Sequence, residues 1–138
     1  MKKSLIYLAG PYTHVDPTIM NYRYSEHCRI AAHLLGRGEL IYSPISETVA
    51  IAKFLGETSW DFWREKDLDQ LKRCDELYVI LLDGYKQSLG VQGEVKFALQ
   101  NIITISFIDP KELITMNLNS QDNVLKLMGV TRIDELND

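Results

Sequence analysis

The feature that most constrains the fold of this chain is an apolar segment that runs directly into a glycine-containing loop and a helical pattern. Residues 77–82 show no alternation of polar and apolar side chains, which is typical of a strand buried on both faces of a parallel sheet. Glycines then interrupt the chain at Gly84, Gly90 and Gly93, and apolar residues resume at helical spacing with Val91, Val95 and Ala98. A strand, a loop and a helix in this order predict one unit of an α/β fold.

Glu94 lies in the first two turns of that helix, between Val91 and Ala98, on the stripe expected to face the sheet. A carboxylate at this position is either an acid favoured by the positive end of the helix dipole or a reactive group. The neighbouring residues leave both interpretations open.

Length and composition indicate a globular protein of ordinary makeup. The 138 residues predict one domain, 1–138, large enough to bury a core, with 46% apolar and 25% charged residues. The net charge of −4 and the lack of a basic patch argue against nucleic acid as a partner. Small anionic ligands are compatible with this charge, because backbone amides can bind them.

The N-terminal segment begins like a signal peptide, but Pro11 ends its apolar run early and no small-residue cleavage site follows. No stretch approaches transmembrane length, so we expect no membrane partner. Cys28 and Cys74 lack metal-ligand spacing, and nothing in their positions demands a disulfide. These features predict a cytoplasmic protein.

The first part of the chain predicts two strands, each followed by a helix. The strands are residues 5–9 and 40–43, and the helices are one from Pro17, closed by Gly36 and Gly38, and a short one at 46–55. Asp16 suits the N-cap of the first helix, since Pro17 suits its first position. Pro44 stops the second strand.

A third helix is predicted from a cap at Thr58 or Ser59 to about Cys74. Its apolar stripe contains Trp60, Trp63, Leu71 and Cys74, and Asp67 falls on the same stripe. A buried acid costs several kcal/mol unless it is paired or hydrogen-bonded, which makes Asp67 a candidate functional group. The alternative is a helix boundary misplaced by one or two residues, with Asp67 solvated. We assign Trp60 and Trp63 to the core rather than to a ligand site.

The remaining predictions are strands at 75–82 and 102–108, a helical turn at 111–114 and terminal helices at 124–128 and 133–136. Strands alternating with helices predict a three-layer α/β fold: a flavodoxin/Rossmann-like, open and mostly parallel sheet of four to five strands with helices on both faces. Ligands of such folds bind at the carboxyl ends of the strands. Those ends carry Gly10-Pro11-Tyr12, Ser43-Pro44-Ile45-Ser46 and the loop from Ser88 to Glu94.

Asp67 and Glu94 are thus expected to point inward near one site. Two acids beside a sugar are the minimum equipment for cleaving a glycosidic bond, because one attacks or stabilises the anomeric carbon while the other transfers protons. Their environments would have to separate their pKa values.

Other candidates carry weaker signals. The loop Ser88-Leu89-Gly90-Val91 can present amides and a hydroxyl to a phosphate, but by itself it is better interpreted as a turn and helix cap. Tyr12 suits either stacking on a base or simple packing. Arg23 suits an anion contact, although a solvated helix face is the commoner environment.

With these residues in view, the sequence resembles the nucleoside 2-deoxyribosyltransferase superfamily, including its nucleotide 5′-monophosphate N-glycosidase branch. The matching segments are Ile6-Tyr7-Leu8-Ala9-Gly10-Pro11-Tyr12, Asp67-Leu68, Cys74-Asp75-Glu76-Leu77 and Ser88-Leu89-Gly90-Val91-Gln92-Gly93-Glu94. They occur in the family's order. The resemblance covers residues 4–108 and leaves 109–138 as a C-terminal helical extension.

The resemblance implies cleavage, by hydrolysis or base transfer, of an N-glycosidic bond, with Glu94 as the nucleophile and Asp67 assisting. Ser88 stands where deoxyribosyltransferases carry an aspartate, whereas the 5′-monophosphate hydrolases have Ser-Leu-Gly-Val. This implies a (deoxy)nucleoside 5′-monophosphate, or a nucleoside, as substrate. The expected substrate-binding residues are Gly10, Pro11, Tyr12, Arg23, Pro44, Ile45, Ser88, Gly90 and Val91. The family implies no metal or organic cofactor, and it implies a homodimer or higher homo-oligomer.

Two residues depart from the family pattern. Lys96 replaces a glycine two residues after the nucleophile, and it is expected to narrow the pocket, pair with Glu94 or point to solvent. Gly93 replaces a larger residue, which is expected to loosen the packing beside Glu94. These departures keep open a rival function, a nucleotide-binding or sensing domain without catalysis, and a third, purely structural role.

Overall fold

The computed structural model describes residues 2–56 and 59–138, and within them the chain forms one five-stranded sheet. The strands are β1 (Leu5–Ala9), β2 (Leu40–Tyr42), β3 (Glu76–Ile80), β4 (Thr104–Ile108) and β5 (Thr115–Asn117). The helices are α1 (Pro17–Gly36), α2 (Pro44–Leu55), α3 (Trp60–Lys72), α4 (Leu89–Gln100) and α5 (Gln121–Leu127), followed by a 3-10 turn at Ile133–Glu135. The α/β architecture predicted from the alternating pattern is confirmed.

The order of the strands determines where a ligand site can form. The sheet runs β2-β1-β3-β4-β5, and all neighbouring pairs are parallel except β4 and β5. The chain therefore leaves β1 towards one edge of the sheet and later crosses to the other side of β1 to form β3. Parallel sheets bind ligands at such a switch point, outside the carboxyl ends of the two strands. Here those ends are Ala9-Gly10 and the segment after Ile80.

Successive side chains of the strands point to opposite faces and build two cores. On one face Tyr7, Val79 and Phe107 pack with residues of α3, α4 and α5. On the other face Leu8 and Ile80 pack with residues of α1. Because α3 and α4 cover the face to which Tyr7 points, an inward side chain on either helix reaches the end of β1.

Most element boundaries agree with the sequence predictions, and two regions differ. Pro44 ends β2 as expected but is also the first residue of α2, which starts two residues earlier than predicted because proline suits a first helical turn. The predicted helical turn at 111–114 is a single turn that starts earlier, closed by the hydrogen bond from the Leu113 amide to the Asp109 carbonyl at 2.9 Å. Leu113, at φ 56°, ends this turn, and the chain leads into the antiparallel edge strand β5, which was not predicted. Ser59 is the N-cap of α3. The alternative cap, Thr58, lies outside the described residues.

Candidate functional site

Glu94 is held inside the fold by the helix that carries it. Ser88 caps α4 by accepting a hydrogen bond from the Val91 amide at 3.2 Å. Val91 and Val95 are fully buried against the sheet, so Glu94 between them also turns inward and is only 5% exposed. It borders a cavity of about 340 Å³ at the carboxyl end of β1, a volume within the range of small-molecule sites.

Tyr7 is the partner of Glu94. This β1 residue is fully buried, and its hydroxyl donates a hydrogen bond to Glu94 Oε2. Burial, followed by the nearby acids Glu94 and Asp67, raises the pKa of Tyr7 well above its usual range, so the phenol stays a donor. Tyr7 lies within the Ile6–Tyr12 segment that carries the family resemblance, but no role was predicted for it from the sequence.

Asp67 approaches the same cavity from α3. It is 7% exposed and lines the cavity, so the alternative of a solvated acid is wrong. Within the described part of the chain its Oδ1 has no hydrogen-bond partner, and Lys66 Nζ lies 3.7 Å away, an ion-pair distance beyond hydrogen-bond length. Burial raises the pKa of Asp67 to about 6, against the opposing influence of Lys66.

The two acids are electrostatically linked. Burial is the main cause that raises the pKa of Glu94 well above its usual range, and the negative charge of Asp67 is the second. The Tyr7 hydrogen bond acts in the opposite direction, because it favours the ionised carboxylate. Two carboxyls that share one low-dielectric cavity do not both ionise readily. This arrangement can hold a proton on one acid and transfer it to a bound molecule.

The predicted substrate-binding residues fall into two groups. The residues among them that line the cavity are Gly10, Tyr12, Pro44, Ile45, Ser88 and Gly90. Pro11, Arg23 and Val91 do not line it. Val91 belongs to the core, although its amide binds the Ser88 hydroxyl. The Pro11 carbonyl faces the ring of the buried His27, with the Nε2 atom at 3.3 Å.

Arg23 connects two loops that border the cavity. Its guanidinium donates to the carbonyl oxygens of Thr13, at 3.1 Å, and Asp83, at 3.0 Å. Gly84 leaves room for it, since a Cβ on this glycine would lie 2.5 Å from Arg23 Nη2. Burial of the guanidinium lowers the pKa of Arg23 from its usual value. Arg23 therefore joins the loop after β1 to the loop after β3.

Trp60 and Trp63 differ from the prediction that assigned them to the core. Both indoles are partly exposed and line the cavity on the α3 side. Helical spacing correctly identified the stripe that carries Asp67, but it did not reveal that a cavity, rather than the sheet, lies opposite its first two turns. The structure also adds Thr48 and Val49 of α2 to the cavity wall.

Lys96 and Gly93, which depart from the pattern of the deoxyribosyltransferase superfamily, lie in environments that were not predicted. Lys96 does not line the cavity or pair with Glu94; it binds Asp138 and the Leu136 carbonyl, and its side chain is 16% exposed. The expected loose packing at Gly93 is wrong as well. A Cβ there would meet Trp60 Cζ2 at 2.6 Å and the Asp138 carbonyl carbon at 3.0 Å. Both residues accommodate the last residues of the sequence.

Neither a metal cluster nor a membrane span is found where the structure can be described. In residues 2–56 and 59–138, no three His, Cys, Asp or Glu side chains are grouped so that they could hold a metal ion. No helix of the same ranges combines the length and the apolar character needed to cross a bilayer.

Comparisons with known proteins agree with the fold. A family model described as a domain of unknown function (DUF1937) matches residues 4–109. Among solved structures, a 2-deoxyribosyltransferase from the psychrotolerant bacterium Bacillus psychrosaccharolyticus superimposes with a TM-score of 0.54 and 22% sequence identity, over 80% of this chain and 76% of that chain. A search of curated proteins finds no match. The fold is thus that of a nucleoside deoxyribosyltransferase, as the sequence resemblance predicted.

Proposed function

Since the chain belongs to the DUF1937 family, whose description assigns no activity, we propose a function from its site: cleavage of the N-glycosidic bond of a (deoxy)nucleoside 5′-monophosphate, with Glu94 as the nucleophile. One observation carries this proposal. Two buried carboxyls from different helices, Asp67 and Glu94, border a single cavity of ligand size. Paired acids are what glycosidic cleavage needs, and the deoxyribosyltransferase-like fold supports glycosyl transfer as the class of reaction.

The first step requires Glu94 in its ionised form. Burial favours the protonated acid, so its proton must leave before attack. Asp67, with a pKa of about 6, is largely ionised near neutral pH and is the acceptor that we assign. The hydrogen bond from Tyr7 and the positive charge that develops on the anomeric carbon both favour the Glu94 carboxylate.

Bond changes then follow in two stages. Tyr7 binds Oε2 of Glu94, which leaves Oε1 to attack C1′ of the sugar. The bond between C1′ and the base nitrogen breaks, its electron pair stays on the base, and the base takes the proton from Asp67. Water then attacks C1′ of the glycosyl ester, releases the Glu94 carboxylate and returns a proton to Asp67. A second base in place of water gives base transfer.

The loop before α4 supports a phosphate as part of the substrate. The Ser88 oxygen accepts the Val91 amide hydrogen bond, so its own O–H can still donate to a phosphate oxygen. Ser88, Leu89 and Gly90 all line the cavity at the start of a 12-residue helix, where the helix dipole favours an anion. An aspartate in place of Ser88 would repel the phosphate.

The test is release of free base from a panel of nucleosides and 5′-monophosphates, followed by chromatography. We expect release from monophosphates, with a higher kcat/KM than for the matching nucleosides. Glu94→Ala should lower kcat by roughly 1,000-fold or more, because removal of a nucleophile has effects of that size. Glu65→Ala, which removes an exposed carboxylate on α3, is the matched control and should behave as wild type.

Two outcomes would contradict the proposal. Equal base release by wild type and Glu94→Ala would remove Glu94 from the nucleophile role. Nucleotide binding detected by calorimetry without base release from any substrate would instead favour the rival function, a nucleotide-binding domain.

Homodimer formation, cytoplasmic location and the single-domain organisation stay predictions. Self-association is supported by exposed apolar side chains on α2, where Ile51, Phe54 and Leu55 are 52%, 93% and 55% exposed.

A further inference from the structure

The last three residues of the sequence are bound to the two helices that carry the acids. From α3, Trp60 Nε1 and Arg64 Nε both donate to the Asp138 carbonyl oxygen, at 3.0 and 2.7 Å. From α4, Lys96 Nζ forms an ion pair with the Asp138 carboxylate and donates to the Leu136 carbonyl at 3.3 Å.

The other two residues of this segment are also fixed. The Asn137 amide donates to Gln92 Oε1 at 2.9 Å, and the Leu136 side chain is buried in the core beside α4. Residues 136–138, which we term the C-terminal clasp, thus span the groove between α3 and α4. Polar contacts from four side chains and one buried apolar anchor hold it there.

The clasp and α4 together determine where the Trp60 ring lies. A Cβ on Gly93 would come within 2.6 Å of Trp60 Cζ2, and one on Gly90 within 3.4 Å of Trp60 Cε3. The indole therefore packs against two glycines that lie one turn apart on α4. At Gly93 the ring lies so close to the backbone that a residue with a side chain would clash with it. The hydrogen bond from Nε1 to Asp138 fixes the remaining rotation of the ring about its side-chain bonds.

Trp60 is a wall of the cavity, together with Ser88, Gly90 and Glu94. We propose that the C-terminal clasp, fastened by Lys96 to Asp138, positions Trp60 and thereby sets the affinity of the cavity for its substrate. Lys96 and Asp138 are positioning residues that act through Trp60. The two departures from the family pattern have one explanation here: Gly93 admits the indole, and Lys96 binds the segment that holds it.

The spectroscopic test does not depend on activity. The chain contains two tryptophans but also seven tyrosines and four phenylalanines. In a Trp63→Phe background, the circular dichroism and the excited emission therefore report Trp60 alone when both are measured at the long-wavelength edge of the indole absorption, where tyrosine and phenylalanine do not absorb. Lys96→Met and Asp138→Asn should weaken the circular dichroism signal and shift the emission to longer wavelength, while Lys96→Arg retains the charge and should restore both. Arg73→Met, which breaks the exposed Arg73–Asp69 ion pair of 3.2 Å at the other end of α3, is the control.

The kinetic test uses the otherwise unmodified chain and rests on the proposed function. Lys96→Met and Asp138→Asn should raise KM by roughly three- to tenfold, the effect of losing one or two polar contacts, and leave kcat within about twofold. Trp60 signals in both variants that equal those of Arg73→Met would overturn the clasp, with or without turnover. Altered Trp60 signals in a protein that shows no base release would support the clasp and refute only the proposed function.

Discussion

Tyr7 binds Glu94 directly and is the residue that favours its ionised form. Its hydroxyl is a buried donor to Glu94 Oε2 and opposes the effects of burial and of Asp67 on the pKa of that acid. Tyr7→Phe keeps the ring and removes the donor, so the pKa of Glu94 should rise further. We expect kcat to fall by about 10- to 100-fold, and the acidic limb of the kcat–pH profile to move to higher pH.

The matched control is Tyr85→Phe. The Tyr85 hydroxyl donates to the Leu127 carbonyl at 2.8 Å and does not line the cavity, so this variant also loses one hydrogen bond but should keep the profile of the wild type. A Tyr7→Phe variant with lowered kcat and an unshifted acidic limb would mean that the hydroxyl positions Glu94 without affecting its ionisation.

Sequence alone located some of these side chains and missed others, for identifiable reasons. Helical spacing put Asp67 and Glu94 on inward stripes, and both are buried. Tyr7 was missed because strand alternation separates the two faces of β1 but does not say which helix covers which face. Trp60 and Trp63 were misassigned because an apolar stripe that lines a cavity has the same spacing as one that lies on a sheet.

At the scale of elements, the loops that follow β1 and β3 are joined by Arg23. The guanidinium reaches the Thr13 and Asp83 carbonyls from α1, so one side chain holds two borders of the cavity. Arg23→Met should raise KM by roughly tenfold and lower Tm by a few degrees, since two partly buried hydrogen bonds are lost. Arg23→Lys should recover little, because a single ammonium group cannot reproduce the fork of the guanidinium.

The comparison for Arg23 is Arg29→Met on the same helix. Arg29 pairs with Glu26 at 2.7 Å and donates to the Pro110 carbonyl, away from the cavity, so its loss should leave KM unchanged. Equal KM values for Arg23→Met and Arg29→Met would show that the two loops hold their positions without the connection.

Elements were predictable where a local signal marks them. Asp16 and Pro17 mark the start of α1, and Gly36 marks its end. The edge strand β5 was not predicted because Thr115–Asn117 is a short segment of exposed residues whose extended form depends on pairing with β4. Such pairing is a tertiary interaction that strand propensity does not encode.

For the whole molecule, burial of Asp67 makes the free energy of unfolding depend on pH. Burial raises the pKa of Asp67 from 3.8 to about 6, so the folded chain binds this proton more tightly than the unfolded chain. Between these pH values the folded state holds more protons, and the free energy of unfolding falls as pH rises. The stabilisation that the Asp67 proton gives to the fold is complete below the unfolded pKa of this acid and is lost above pH 6, a change on the order of 3 kcal/mol.

Asp67→Asn should therefore stabilise the fold at pH 8 by on the order of 1–2 kcal/mol, while changing little at pH 4, where the native carboxyl is already protonated. Base release should fall in the same variant, because asparagine cannot carry the proton. Urea denaturation at the two pH values measures the first effect.

The control is Asp61→Asn, which changes an exposed acid in the first turn of α3 and should show no gain in stability at pH 8. A gain for Asp67→Asn that is equal at pH 4 and pH 8 would mean that improved packing, rather than relief of a buried charge, is its cause.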